Sequence, residues 1–183
     1  MNKNLIEIKN ISKNFKNNNS NINVLKNINL NLQSGKLVAL MGPSGSGKST
    51  FLHLIALLDK PTKGQISVMG KKVENLKEDE KNFMLRNNIS IIFQNNNLLS
   101  DFTSLENVAI PLIIRGNSYY SSIKKSKKIL SEVNLSHRYD HFPSNLSGGE
   151  QQRVAIARSL ASDTKIILAD EPTGNLDEKT SEE

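Results

Sequence analysis

Polar and apolar residues alternate through VLKNINLNL, residues 24–32, which puts Ile28, Leu30 and Leu32 on one face and Asn27, Asn29 and Asn31 on the other. A period of two predicts a half-buried, antiparallel strand. With LIEIKNI at residues 5–11 it makes a hairpin layer ahead of Gly35. The next apolar run, LVALMG at residues 37–42, has no polar face and predicts a strand buried on both sides of a parallel sheet. ISIIF at residues 89–93 and KIILAD at residues 165–170 read the same way, and QISVMG, from Gln65, is a further short strand. Helical spacing begins at Lys48 and runs to about Leu58, aiming Phe51, Leu52, Ile55 and Leu58 at the sheet before KPTKG turns the chain. ENLKEDEKNFMLRNN predicts a mostly solvated helix whose Phe83 and Met84 touch the body.

Between Gln94 and LSGGE the pattern changes. LENVAIPLIIRG reads as a helix kinked or broken near Pro111, and YYSSIKKSKKILSEVNL spaces Tyr120, Ile123, Leu130 and Val133 as a helix does. A helical subdomain over about 95–146 is therefore expected inside one domain spanning 1–183, followed by a helix from Gly148 to about Leu160. The expected fold class is α/β: a mostly parallel core sheet, an N-terminal antiparallel β layer and a helical insertion. No internal repeat or heptad series interrupts this plan.

Composition narrows the partners only slightly. The 183 residues suffice for one sizeable core, and 24 Lys plus Arg against 18 Asp plus Glu give a formal charge of +6. That balance favours acidic surfaces, nucleotides or nucleic acid, or serves solubility, since no aromatic platforms flank the scattered lysines. The absence of cysteine excludes disulfides, thiolate catalysis and cysteine-ligated metal. The longest strongly apolar run, VAIPLII at residues 108–114, is far short of the ~20 residues a transmembrane helix needs. MNKNLIEIKN carries no secretion signal, so any membrane role is expected to be peripheral, through a partner. The asparagine-rich KNNNSNIN at residues 16–23 reads as a polar loop.

The first chemical motif is GPSGSGKST: Gly42, Pro43, Ser44, Gly45, Ser46, Gly47, Lys48, Ser49 and Thr50. It fits G-x-x-x-x-G-K-[ST] between a predicted strand and a predicted helix, the context of a phosphate-binding loop. Its glycines let backbone N–H groups curl around a β-phosphate, and the helix N-terminus adds its positive end. Lys48 is expected to reach the β- and γ-phosphates, and Ser49 to offer a hydroxyl to Mg²⁺. At the end of IILADE, Asp170 is expected to serve that metal directly or through water. Glu171 then faces the γ-phosphate and polarises the attacking water. Gln94, at a neighbouring strand end, is expected to sense metal and water.

The second motif is LSGGEQQR. Ser147 and Glu150 have capping-box spacing, so the stretch reads first as a well-made helix start. Capping does not explain Gly148 and Gly149, which carry an entropy cost and favour close approach by something external. A serine hydroxyl and glycine N–H groups at a helix tip suit a γ-phosphate.

GPSGSGKST, Gln94, LSGGEQQR, IILADEP and GNLD occur in the order found in the ATP-binding cassette (ABC) ATPases, which this chain resembles over nearly its whole length. The resemblance implies a head-to-tail dimer in which Ser147, Gly148, Gly149 and Glu150 of one copy close over ATP held by the phosphate loop of the other. It implies that Gly174 and Asp177 bound a loop crossing the dimer interface, and that Phe15 stacks on adenine, the buried-core alternative for Phe15 staying open. Gln94 looks like the link to transmembrane partner subunits at the cytoplasmic face of a bacterial inner membrane. MGPSGSGKSTFLHLIALLDKPTKG and FPSNLSGGEQQRVAIARSLASDTKIILADEPTGNLD look closest to the family's lipoprotein-release branch, with export and cell-division branches sharing the GNLD ending.

Family members continue past the Asp177 loop to another core strand and a switch histidine, and none of His53, His137 or His141 has that context. The domain is accordingly expected to be incomplete at its C-terminus, with ATP binding surviving more readily than hydrolysis. A nucleotide-dependent scaffold is one alternative. A DNA-maintenance ATPase of the same superfamily is another, although such proteins place a much longer insert where this chain has a compact helical region.

Overall fold

The computed structural model describes residues 4–17 and 20–174, which divide into two compact units, the first ending at Leu85 and the second beginning at Arg86. In the first, β1 (Asn4–Asn17) and β2 (Ser20–Gln33) make the expected antiparallel pair, with Ile6 opposite Leu32, Ile8 opposite Leu30 and Ile11 opposite Ile28. Ile28, Leu30 and Leu32 are half-buried while Asn27, Asn29 and Asn31 are exposed, as alternation requires. α1 (Lys48–Ile55) is followed by β3 (Lys63–Val68) and β4 (Lys71–Lys72), giving the sheet order β2-β1-β3-β4. The register slips where β1 meets both neighbours. There Asn10 and Asn27 have φ of 52° and 50°, and a Cβ on Gly64 (φ 92°) would lie 2.4 Å from the Asn10 carbonyl oxygen. Only glycine fits that crossing.

Two expectations in this unit need correction. Residues 37–42 form no strand, and Leu37 and Met41 are 100% and 88% exposed. A parallel strand exists through hydrogen bonds to its neighbours, and among the described residues no strand pairs with this segment. Apolar composition alone does not supply the ladder. α1 stops at Ile55 because Leu57 takes the left-handed conformation, φ 58°, so Leu54 is buried and Leu58 turns to solvent. In α2 (Glu78–Asn88), which carries the chain from the first unit to the second, Met84 is buried but Phe83 is 59% exposed.

The second unit begins with β5 (Ile89–Ile92), followed by α3 (Ser104–Ile114), α4 (Tyr119–Glu132), α5 (Gly148–Ala161) and β6 (Ile166–Ala169). β5 and β6 are parallel, Ile89 facing Ile166 and Ile92 facing Ala169. α3 starts at a capping box, Thr103 with Glu106, and runs through Pro111 without breaking. Val108 and Leu112 of α3, Leu130 of α4, Leu135 and the small, close-packing Val154, Ala157 and Ala161 of α5 form one buried cluster. Tyr120 is not part of it: α4 buries Ser122, Ser126, Ile129 and Leu130, leaving Tyr120 79% exposed.

Leu130 has no exposed surface at the centre of this cluster. Leu130→Ala is expected to lower unfolding free energy by about 2–5 kcal/mol, read from the denaturant midpoint at unchanged slope.

Candidate nucleotide site

The glycine loop is shaped by its own backbone. The Ser46 N–H donates to the Pro43 carbonyl (3.2 Å), Gly45 and Gly47 have φ of 77° and 92°, and the Phe51 N–H donates to the Gly47 carbonyl (2.9 Å) to open α1. A Cβ on Gly47 would lie 2.9 Å from Val24 Cγ1 and 3.0 Å from Leu25 Cδ2, so glycine is required by space as well as by φ. A Cβ on Gly42 would lie 2.8 Å from Ser46 Oγ. Lys48 Nζ curls back to donate to the carbonyls of Gly42 (2.9 Å) and Pro43 (3.0 Å). α1 has no side-chain N-cap, so its first amides are left for an external acceptor, and Ser44, Ser49 and the glycines are accessible. A cradle of amides, a lysine and a hydroxyl fits a nucleotide triphosphate and its Mg²⁺. Pro43 and Thr50 complete the loop, Thr50 half-buried on α1.

Phe15 lies on β1 opposite Ile22, 44% exposed, with Lys13 Nζ 4.9 Å from its ring centroid. It is therefore a surface aromatic, which removes the buried-core alternative. Lys13 is itself fixed by Asp59 (2.7 Å), whose carboxyl that lysine holds below the usual range.

In the second unit the level ends of β5 and β6 bring two chemical residues together. The Asp170 N–H donates to the Ile92 carbonyl (2.9 Å), extending the ladder by one step. Gln94 Nε2 then donates to Glu171 Oε2 at 2.7 Å. Glu171 is exposed and stands in the left-handed region, φ 48°, uncommon for a side chain of its size; its carbonyl accepts from the Gly174 N–H (3.0 Å) to close the turn. Asp170 is half-buried beside it. Asp177 lies outside the described residues. The loop after Gln94 is stapled by Asn107, buried in α3, which accepts from the Leu99 N–H (2.8 Å) and donates to the carbonyls of Leu99, Phe102 and Thr103. The sequence signal for that role was a lone amide inside the apolar run LENVAIPL.

At the tip of α5 the expected capping box is present. Ser147 Oγ accepts from the Glu150 N–H (3.2 Å), and Glu150 Oε2 accepts from the Ser147 N–H (2.8 Å). Arg138 Nε donates to the other carboxylate oxygen at 2.7 Å, a contact with no local sequence signal. Ser147 and Gly148 are exposed and Gly149 half-buried. The Ser147 amide, aided by Arg138 and opposed by burial, pulls the Glu150 carboxyl down to about 2.

The profile of the ABC transporter family matches residues 25–174. The lipoprotein-releasing system ATP-binding protein LolD of Rickettsia bellii is 47% identical over 184 residues, covering 100% of this chain and 80% of the relative. An uncharacterized ABC transporter ATP-binding protein of Methanocaldococcus jannaschii is 47% identical over 178 residues, covering 96% of this chain and 79% of its own length. Among solved structures, the dimeric bacterial ABC transporter cassette MJ0796 superposes with a TM-score of 0.91 at 46% identity, covering 97% of this chain and 78% of that one.

Because Glu150 is bound more tightly as a carboxylate when folded, its contribution is complete above its ordinary value of 4.5 and is lost as pH falls toward about 2. Glu150→Gln is expected to be less stable at neutral pH and to lose less stability across that window, measured by denaturant unfolding at stepped pH. Parallel curves for the two proteins would remove Glu150 from the linkage.

Proposed function

The chain belongs to the ABC transporter ATP-binding family, and on that footing we propose that it powers lipoprotein release from the bacterial inner membrane as one half of a head-to-tail ATPase dimer. It binds and hydrolyses ATP, as the ATPase domains of this family do. The assignment to lipoprotein release is supported by LolD relatives that match along the full chain at 42–47% identity. The observation that carries the mechanism is the Gln94–Glu171 hydrogen bond, which joins an amide after one strand end to a carboxylate after the next.

In this reading the amides of residues 42–47 and Lys48 hold the β- and γ-phosphates, and Phe15 offers its open face to the adenine. Ser49, Asp170 and Gln94 would hold Mg²⁺, which when bound would supply charge neutralisation at the transferring phosphoryl group. Glu171 orients or deprotonates the lytic water, and Gln94 holds that carboxylate by its hydrogen bond. Ser147, Gly148 and Gly149 act on the nucleotide of the other copy. Their tip is accessible, and Glu150 is consumed by its own cap and Arg138, which leaves the glycine amides to an incoming phosphate.

Among the described residues no helix is long and apolar enough to cross a membrane, so attachment falls to LolC- and LolE-like subunits at the cytoplasmic face. The exposed Asn95, Asn97 and Ser100 of the loop after Gln94 support docking there. Within residues 101–116, Phe102, Ile113 and Ile114 are exposed.

Glu171→Gln is expected to retain ATP affinity, to slow turnover by roughly 10²-fold or more, and to accumulate as an ATP-bound dimer on size exclusion. Unchanged turnover takes Glu171 out of the chemistry. Gly148→Asp is expected to leave the fold and monomeric ATP binding intact, since an acid suits a helix N-terminus, while abolishing that dimer by repelling the γ-phosphate. A Gly148→Asp chain that still dimerises with ATP places the tip away from nucleotide. In reconstituted vesicles with LolC/LolE-like subunits, ATP is expected to release acylated protein to a soluble acceptor; hydrolysis without release assigns the chain a different cargo.

A further inference from the structure

Gln94 is followed by a loop that does not hold itself in place. Asn97 lies in the left-handed region, φ 47°, and Asn96 Oδ1 is buried without a hydrogen-bond partner among the described residues. Each feature costs free energy, of order 1–3 kcal/mol for a buried orphan oxygen, so an outside contact must maintain the conformation. Asn107 of α3 holds residues 99–103, and at residues 96 and 97 the contact comes from α5. Arg158 NH1 donates to the Asn97 carbonyl and NH2 to the Asn96 carbonyl, both at 2.8 Å. A planar guanidinium presents two parallel donors at fixed spacing, and two successive carbonyls match it. One residue later on the same helical turn, Ser159 Oγ donates to the Ile91 carbonyl (3.2 Å), on the strand that leads into Gln94. Gln94 is thus bracketed by the C-terminal half of the helix whose N-terminus is residues 147–150.

We propose that Arg158 is a positioning residue of the hydrolytic site. It fastens the loop after Gln94 to the helix that begins with Ser147, so that where the helix tip sits decides where the Gln94 amide holds the Glu171 carboxylate. The inference rests on the reading above that Gln94 and Glu171 act in hydrolysis. Eleven residues of helix separate Ser147 from Arg158, about 16 Å at 1.5 Å per residue. α5 spans that distance without a break, with Val154, Ala155, Ala157 and Ala161 fully buried along it, so its two ends belong to one packed element. Burial pushes the Arg158 guanidinium's pKa below its ordinary value, although it stays cationic at neutral pH. A desolvated cation spent on two neutral carbonyls is an expensive way to tether a loop whose position is immaterial. A tip engaged by nucleotide and a tip left free therefore hold the Gln94–Glu171 pair differently.

The test is a double-substitution cycle on steady-state ATP hydrolysis by the full chain. Arg158→Met keeps the stem and deletes the fork, and Arg158→Lys, which satisfies one carbonyl at most, serves if the first does not fold. Either is expected to lower kcat by about 10- to 100-fold and to leave KM for ATP within about twofold, because Lys48 and its loop are untouched. Added to Gln94→Ala, which lowers kcat by itself, the Arg158 substitution is expected to cost less than about twofold more, because both act through one element. Leu130→Ala, at equal or greater loss of stability, controls for a merely structural effect and is expected to keep kcat per folded molecule. Additive losses, a rise in KM matching the fall in kcat, or the same loss of kcat in Leu130→Ala overturns the proposal. So does a normal kcat in the Arg158 variants beside a slow Gln94→Ala, which leaves the hydrolytic reading standing. A normal Gln94→Ala removes that reading and this proposal together.

Discussion

The second unit depends on two parallel strands that end level. Because Ile92 faces Ala169 and its carbonyl still accepts from the Asp170 amide, the next residues on each strand leave the ladder side by side. From there Gln94 reaches Glu171 across a single hydrogen bond. A register slip of one residue would turn every side chain of the strand to the opposite face and carry the carboxylate away from the amide. The helices serve this alignment: Asn107 holds the far side of the loop after Gln94, and α5 holds the near side.

The two helix tips solve the same problem differently. Every helix leaves its first amides unsatisfied. α1 starts at a glycine with no side-chain cap and a lysine folded back over the loop, so its amides are open from the start. α5 starts at a serine that already caps the helix and a glutamate that returns the favour, so its fold is secured before anything binds. The first tip is built to be completed by a ligand, whereas the second is complete and offers only the surplus amides of Gly148 and Gly149.

Local features were legible in the sequence and relational ones were not. The hairpin, the Ser147–Glu150 capping box and the glycine loop depend on spacing within a few residues, and spacing is what a sequence displays. Leu58 was misplaced because the helix ends at a left-handed Leu57, a conformation that leucine does not announce. Residues 37–42 carry a strand's composition, but a ladder belongs to a pair of strands and composition describes only one. Arg138 and Arg158 carry no local sequence signal for their contacts. Their partners lie 12 residues away for one and 61 and 62 residues away for the other, beyond the reach of any local pattern.

The pairing of Arg138 with Glu150 has an electrostatic outcome at the α5 tip. An acidic residue in the first turn would ordinarily repel a polyanion arriving from outside. Here its charge is countered by a guanidinium on one oxygen and a backbone amide on the other, so the far field it projects is nearly cancelled. What an arriving anion meets is the positive pole of fourteen aligned peptide dipoles, with no local counter-field to climb against.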